Sequence, residues 1–226
     1  MTLCIVFNEA HLNFFKNNME IGEWTGPNLL NWTQSVGIPA LGESANALSL
    51  TRESLKELAA NPTVADRDVL WSILAWGRMR RDHARRLYKY EGCWEKVVGR
   101  LRRDRLDRRE SYRICSEATR TPCGIGPAFF TKLIFFANPK HDGFIMDQWT
   151  SRSINLLVEG PRVVRMRTPV HVDPNNNADN FERFCCAVEE LSSRLNKEPE
   201  YIEQCLFSTG GRNPAPWRRY LKEQGG

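Results

Sequence analysis

The sequence predicts an all-α protein, on three observations. Apolar residues recur at helical spacing in most segments, with capping residues and prolines marking the ends. Convincing alternation of apolar and polar residues, the mark of a half-buried strand, is absent. Hydrophobic residues make up 41% of the 226 and charged residues 26%, a balance that supports a packed core.

Taken in order, Ser49 and Thr51 offer N-caps for "RESLKELAA", which Asn61-Pro62 closes. Asp66 and Asp68 open "VLWSILAWGRM", where Val69, Ile73 and Trp76, with Leu70 and Leu74, share helical spacing. "HARRLYKY" and "CWEKVVGRLRR" follow, the first ending near Gly92, and then "RRESYRICSEA", running into Thr121-Pro122. Further on, "NADNFERFCCAVEELSSRLN" reads as a long amphipathic helix, and Pro199 starts "PEYIEQCLF". One long loop is expected around residues 158 to 177. Within it "RVVRMRTPVHV" alternates briefly, but its proline demotes it to loop or edge.

The opening "TLCIVFNEAHLNFFK" is too short and too soon interrupted for a secretory signal, and no stretch approaches a membrane span. The expectation is a cytoplasmic protein. Seven scattered cysteines (Cys4, Cys93, Cys115, Cys123, Cys185, Cys186 and Cys205) include no CxxC pair. Neither zinc nor an Fe–S cluster is predicted, because both need clustered thiolates, and reduced buried thiols are expected instead.

Charge is unevenly spread. Residues 78 to 109 hold thirteen Lys or Arg against five Asp or Glu, a net of +8 in a chain whose total is +5. A basic segment in otherwise acidic surroundings is the footprint expected for a polyanion, and nucleic acid is the predicted partner. A solvated helix face is the ordinary alternative.

The stretch "GIGPAFFTKLIFFANPKHDGFIMDQWTSRSINLL", residues 124 to 157, carries the chemistry. Gly124-Ile125-Gly126 joins a helix near 108–118 to one near 127–137, and glycines permit the positive φ and close backbone approach that a tight turn requires. Pro127 suits the first helical position, and the N–H groups that remain there, such as that of Ala128, form an anion site suited to a DNA phosphate. Downstream, Asp147 falls at the start of the helix "QWTSRSINLL". As an N-cap it is ordinary. A helix N-terminus also favours its ionised form and fixes its direction, as a developing oxocarbenium ion would require.

In that order, these residues resemble the helix-hairpin-helix-GPD superfamily of DNA glycosylases, most clearly over residues 108 to 157. "GIGPAFFTKLIFF" looks most like a bacterial branch related to 8-oxoguanine glycosylases. The resemblance implies two helical subdomains flanking a cleft: 40–137 with the hairpin, and 1–39 with 138–226 carrying the aspartate. It implies that Asp147 is catalytic and that Gly124 and Gly126 grip a phosphate of double-stranded DNA. No obligate protein partner is expected, and a monovalent cation at the hairpin is compatible with it. The lysine that bifunctional members place two residues after the second glycine is here Ala128, so a monofunctional enzyme using water is expected. Lys132, four residues on and about 6 Å along the helix, shares that face and could serve the same site.

A glycosylase holds its flipped base among aromatic and polar groups. The candidates are Trp71, Trp76, Phe144, Gln148, Trp149 and Trp217, most tryptophans being expected in the core. "GGRNPAPWRR" reads as a phosphate loop or a basic tail. Two substrates compete: an oxidised purine, or α-glucosyl-hydroxymethylcytosine in phage DNA, a defence function that the missing lyase lysine favours. A DNA-binding module without catalysis, or an enzyme acting on RNA, also fits these residues.

Overall fold

A computed structural model describes residues 5–46, 49–119 and 124–225. Thirteen helices and one two-stranded sheet are found among them, so the chain is all-α with a small β appendage. No described helix is long and apolar enough to cross a membrane. The Thr121-Pro122 stop, Cys4 and Cys123 lie outside the described residues. The chain divides into two compact units: Trp24–Gly143, and Met1–Glu23 together with Phe144–Gly226. Residues 24–39 and 138–143, which the sequence reading attached to the aspartate-bearing subdomain, cluster with the other unit.

The Trp24–Gly143 unit contains α2 (Leu29–Val36), α3 (Glu43–Asn46), α4 (Arg52–Ala60), α5 (Asp66–Trp76), α6 (Arg81–Tyr88), α7 (Glu91–Arg103), α8 (Arg108–Ala118) and α9 (Pro127–Ala137). Its centre is built from α5 and α9. Every residue from Val69 to Trp76 and from Phe130 to Ala137 is buried, the all-round apolar character of a helix enclosed by others. Thr51 rather than Ser49 caps α4, in a reciprocal box with Ser54. Asp66 does not cap α5. It accepts from Arg102 at 2.6 Å and Arg103 at 2.9 Å. Burial alone would raise the Asp66 carboxyl, but these bonds more than reverse that, and it lies below its ordinary value.

The other unit holds α1 (Glu9–Asn17), α10 (Gln148–Leu157), β1 (Met166–Thr168), β2 (His171–Val172), α11 (Ala178–Leu195), α12 (Pro199–Phe207) and α13 (Pro216–Glu223). Here α10 is the hub, contacting α1, α11, α12, α13 and β2. Ser153 on α10 donates to Leu206 O and accepts from Trp217 Nε1, tying α10 to α12 and α13. The expected loop of 158–177 contains an antiparallel hairpin, with Met166 opposite Val172 and Thr168 opposite His171. Pro169 sits in its two-residue turn, where a missing N–H costs no ladder bond. Helices α1, α2 and α13, each of eight or nine residues, were not read from the sequence. Their start signals were nonetheless in the sequence: Asn8, Asn28, and Pro216 at N1.

Candidate active site

Asp147 lies at the N-terminus of α10 with extended backbone, and is 8% exposed. One carboxylate oxygen, Oδ1, accepts from Trp149 N at 2.8 Å and Thr150 N at 3.2 Å. In return Asp147 N donates to Thr150 Oγ1 at 3.0 Å, and that hydroxyl donates to Ile145 O at 2.7 Å. The side chain is therefore locked by two amides, in a helix-start field that favours negative charge. Phe144, three residues before Asp147, is buried, at 6% exposure.

Trp149 packs against two guanidinium groups, that of Arg152, which the sequence did not flag, and that of Arg218, from the "GGRNPAPWRR" stretch. Arg218 of α13 stacks 3.7 Å over its ring and Arg152 lies 4.8 Å from it. Both arginines are buried, at 4% and 7% exposure. Arg218 donates to Ser208 O at 2.7 Å and to Phe207 O, holding a turn in which Ser208 adopts positive φ. Burial pushes Arg218 down to about 10, while the nearby Asp147 carboxylate pulls it up and Arg152 pushes it lower. Thus "GGRNPAPWRR" is in part a packing device: Arg218 is interior, whereas Arg212 and Arg219 are exposed. Gln148 lies with one end of its side-chain amide 2.8 Å from Val170 O and the other 2.7 Å from Trp149 Nε1, and the amide orientation that satisfies both ends places Nε2 toward Val170 O and Oε1 toward Trp149 Nε1.

In the other unit, Gly126 caps α9 with no side-chain bond at that helix start, and Pro127 occupies the first turn. Phe129 N and Phe130 N both donate to Gly126 O. Gly126 has φ −74°, so the expected positive φ is not found at that glycine. The operative reason at Gly124 is close approach, since a Cβ there would lie 2.7 Å from Thr119 O. At Gly126 a Cβ would meet nothing within 4 Å. Ile125 is fully buried and anchors the turn.

Lys132 does share a face with Ala128: its Nζ donates to Ala128 O at 2.6 Å and lies 5.5 Å from the Phe129 ring. Its stem runs past Gly77, where a Cβ would sit 3.0 Å from Lys132 Cδ. Trp71 is enclosed in the core at 0% exposure, its indole N–H on Glu91, and cannot be offered to a base without unpacking α5. Trp217 is likewise fully buried, edge-on to Phe15 at 4.9 Å. Trp76, at 4% exposure, packs edge-on to Phe136, and its carbonyl accepts from Trp24 Nε1.

The basic segment splits in two. Arg102 is interior, donating to Ala59 O, Asn61 O and Val64 O as well as to Asp66. Arg78, Arg80, Arg81, Arg86, Lys89 and Lys96 are exposed. Arg78 has positive φ, stacks 4.4 Å from the Trp24 ring, and with Arg80 and Arg81 lines a depression of about 310 Å³ beside Trp32.

His83 connects this segment to the hairpin, hydrogen-bonding to the backbone of Gly124 and packing edge-on to Phe129 at 6.2 Å. Burial lowers His83 below its ordinary 6.5, outweighing the Gly124 bond. The unfolded chain therefore takes up this proton first, and the stability is present above pH 6.5 and lost as pH falls below it. Melting measured from pH 7.5 to 5 should show a loss on acidification that His83→Gln reduces.

The described residues thus hold a helix start without a side-chain cap at Gly126 in one unit, and an aspartate fixed at the start of α10 in the other. A family model described as "Putative 8-oxoguanine DNA glycosylase OGG-like protein" matches residues 22–207, and the chain belongs to that family. No curated protein and no solved structure matches it.

Proposed function

We propose that this protein is a monofunctional glycosylase that flips a modified base from double-stranded DNA and hydrolyses its N-glycosidic bond, leaving an abasic site. The observation that carries the reading is Asp147, held by two backbone amides at a helix start in a chain matched over residues 22–207 by a glycosylase family. A carboxylate held in this way stabilises positive charge developing on the sugar and orients the attacking water. Gly124, Ile125, Gly126, Pro127 and Ala128 are proposed to bind a phosphate through the open start of α9. Ala128 offers no amine for Schiff-base chemistry. Lys132 is proposed to act through its charge, toward a phosphate or the carboxylate. The proposed reaction draws on a carboxylate and water and calls on no cofactor.

For the base, Gln148 and Trp149 are the proposed contacts beside Asp147, with the less exposed Phe144 on the same unit; Trp76, buried in the other unit, is a further proposed contact. The proposed substrate is α-glucosyl-hydroxymethylcytosine in phage DNA, supported by the absent lyase lysine: an abasic site left in foreign DNA is harmful by itself. An oxidised purine is the second reading, favoured by the description of the family.

The test is base release from whole DNAs: ordinary bacterial, oxidised, and phage DNA with unmodified, hydroxymethylated or glucosylated cytosine. Released bases are identified by mass spectrometry, and abasic sites are counted with an aldehyde-reactive probe. A single modified base freed by the wild type identifies the substrate. Binding without release from any of them supports a non-catalytic DNA-binding module instead.

A further inference from the structure

The hairpin β1–β2 has a composition that solvent exposure alone does not explain. Between Gly160 and Val172 there is no acidic residue, while Arg162, Arg165, Arg167 and His171 are all exposed. At the tip, Val170 is 52% exposed. An apolar side chain half exposed in a turn, with exposed cations on the strands either side of it, is more than packing of the helices requires.

Yet the hairpin is held firmly. Asn155 of α10 accepts from Val164 N at 2.9 Å and donates to Val164 O at 2.7 Å. Asn176 does the same for Arg165, accepting from its N–H at 2.8 Å and donating to its carbonyl at 2.9 Å. Thr168 Oγ1 and His171 Nδ1 lie 2.8 Å apart across the turn. Two side-chain amides thus fix the base of the hairpin, while the Val170 side chain at its tip stays half exposed. The tip also reaches the site, because Val170 O lies 2.8 Å from the side-chain amide of Gln148, the residue next to Asp147, and accepts from its Nε2 in the orientation that satisfies both ends of that amide.

We infer that the hairpin is a DNA-contacting wedge: Pro169 and Val170 enter the stack where the modified nucleotide has been extruded, while Arg165, Arg167 and His171 contact the flanking phosphates. Apolar side chains inserted between base steps, with cations on the backbone either side, are a general means of holding DNA open. The Gln148 bridge sets the reach, since a nucleotide held at Asp147 leaves its gap near the element tied to the neighbouring residue. This inference rests on the glycosylase reading.

The test uses the full chain and a duplex carrying a tetrahydrofuran abasic analogue, which presents the gap whatever base is excised. Wild type should bind it about tenfold more tightly than the intact duplex, and Val170→Ser should lose most of that preference while keeping its affinity for intact DNA. Val6→Ser, which alters a valine 51% exposed elsewhere on the same unit, should change neither. Circular dichroism confirms that each variant is folded. If Val170→Ser keeps the full preference, the wedge is overturned and the glycosylase reading stands. If the wild type shows no preference and releases no base, the glycosylase reading fails and the wedge fails with it.

Discussion

Asp147→Asn should reduce base release by on the order of 10³-fold while leaving DNA binding intact or tighter. The substitution isolates charge from structure. Asn caps a helix about as well as Asp, so its Oδ1 keeps the bonds from Trp149 N and Thr150 N, and the box with Thr150 survives. What disappears is the anion facing the sugar. Asp147→Ala should abolish release equally and also cost about 1 kcal/mol of stability through the lost cap. Single-turnover release on the DNA that the wild type processes, beside a binding isotherm and a melting curve, separates the two effects. Release by Asp147→Asn at a rate near that of the wild type would reduce Asp147 to a helix cap.

Arg102→Met should lower stability by about 3–4 kcal/mol, a fall of roughly 10 °C in melting temperature, in contrast to its exposed neighbours. Arg102 is 7% exposed at its side chain and bonds to Asp66 at 2.6 Å. It also serves three carbonyls, those of Ala59, Asn61 and Val64, at the end of α4 and the loop that follows. Methionine fills the space but leaves a half-buried carboxylate short of its closest partner and three acceptors without that donor. Lys89→Met, by contrast, should move the melting temperature little and flatten the salt dependence of DNA binding, because an exposed cation contributes to phosphate contacts rather than to packing. Equal melting losses in the two variants would mean that Arg102 is not interior.

This contrast shows where sequence reading stopped. The count of thirteen cations within residues 78 to 109 is a sequence fact. Which of them face outward is not, because arginine donates to buried carbonyls and to phosphates with the same fork. The hairpin was missed for a related reason: Pro169 argues against a strand interior but is harmless in the turn, and only the partner strand distinguishes these cases.

What the sequence determined by itself is local. The bounds of α4, α8, α9, α10 and α12 follow from prolines, caps and helical spacing, all of which act within about four residues. The placement of Asp147 at the start of α10 is of the same kind, which is why the candidate carboxylate was legible before any fold was known. The tertiary structure decided what distant residues do to one another. It buried Trp71 and Trp217, and it stacked Arg218 on Trp149 from 69 positions along the chain. It brought His83 to Gly124 and tied Val170 to Gln148. The cost of burying an arginine or the reach of a hairpin depends on neighbours that packing supplies, and residue spacing along the chain carries no record of them.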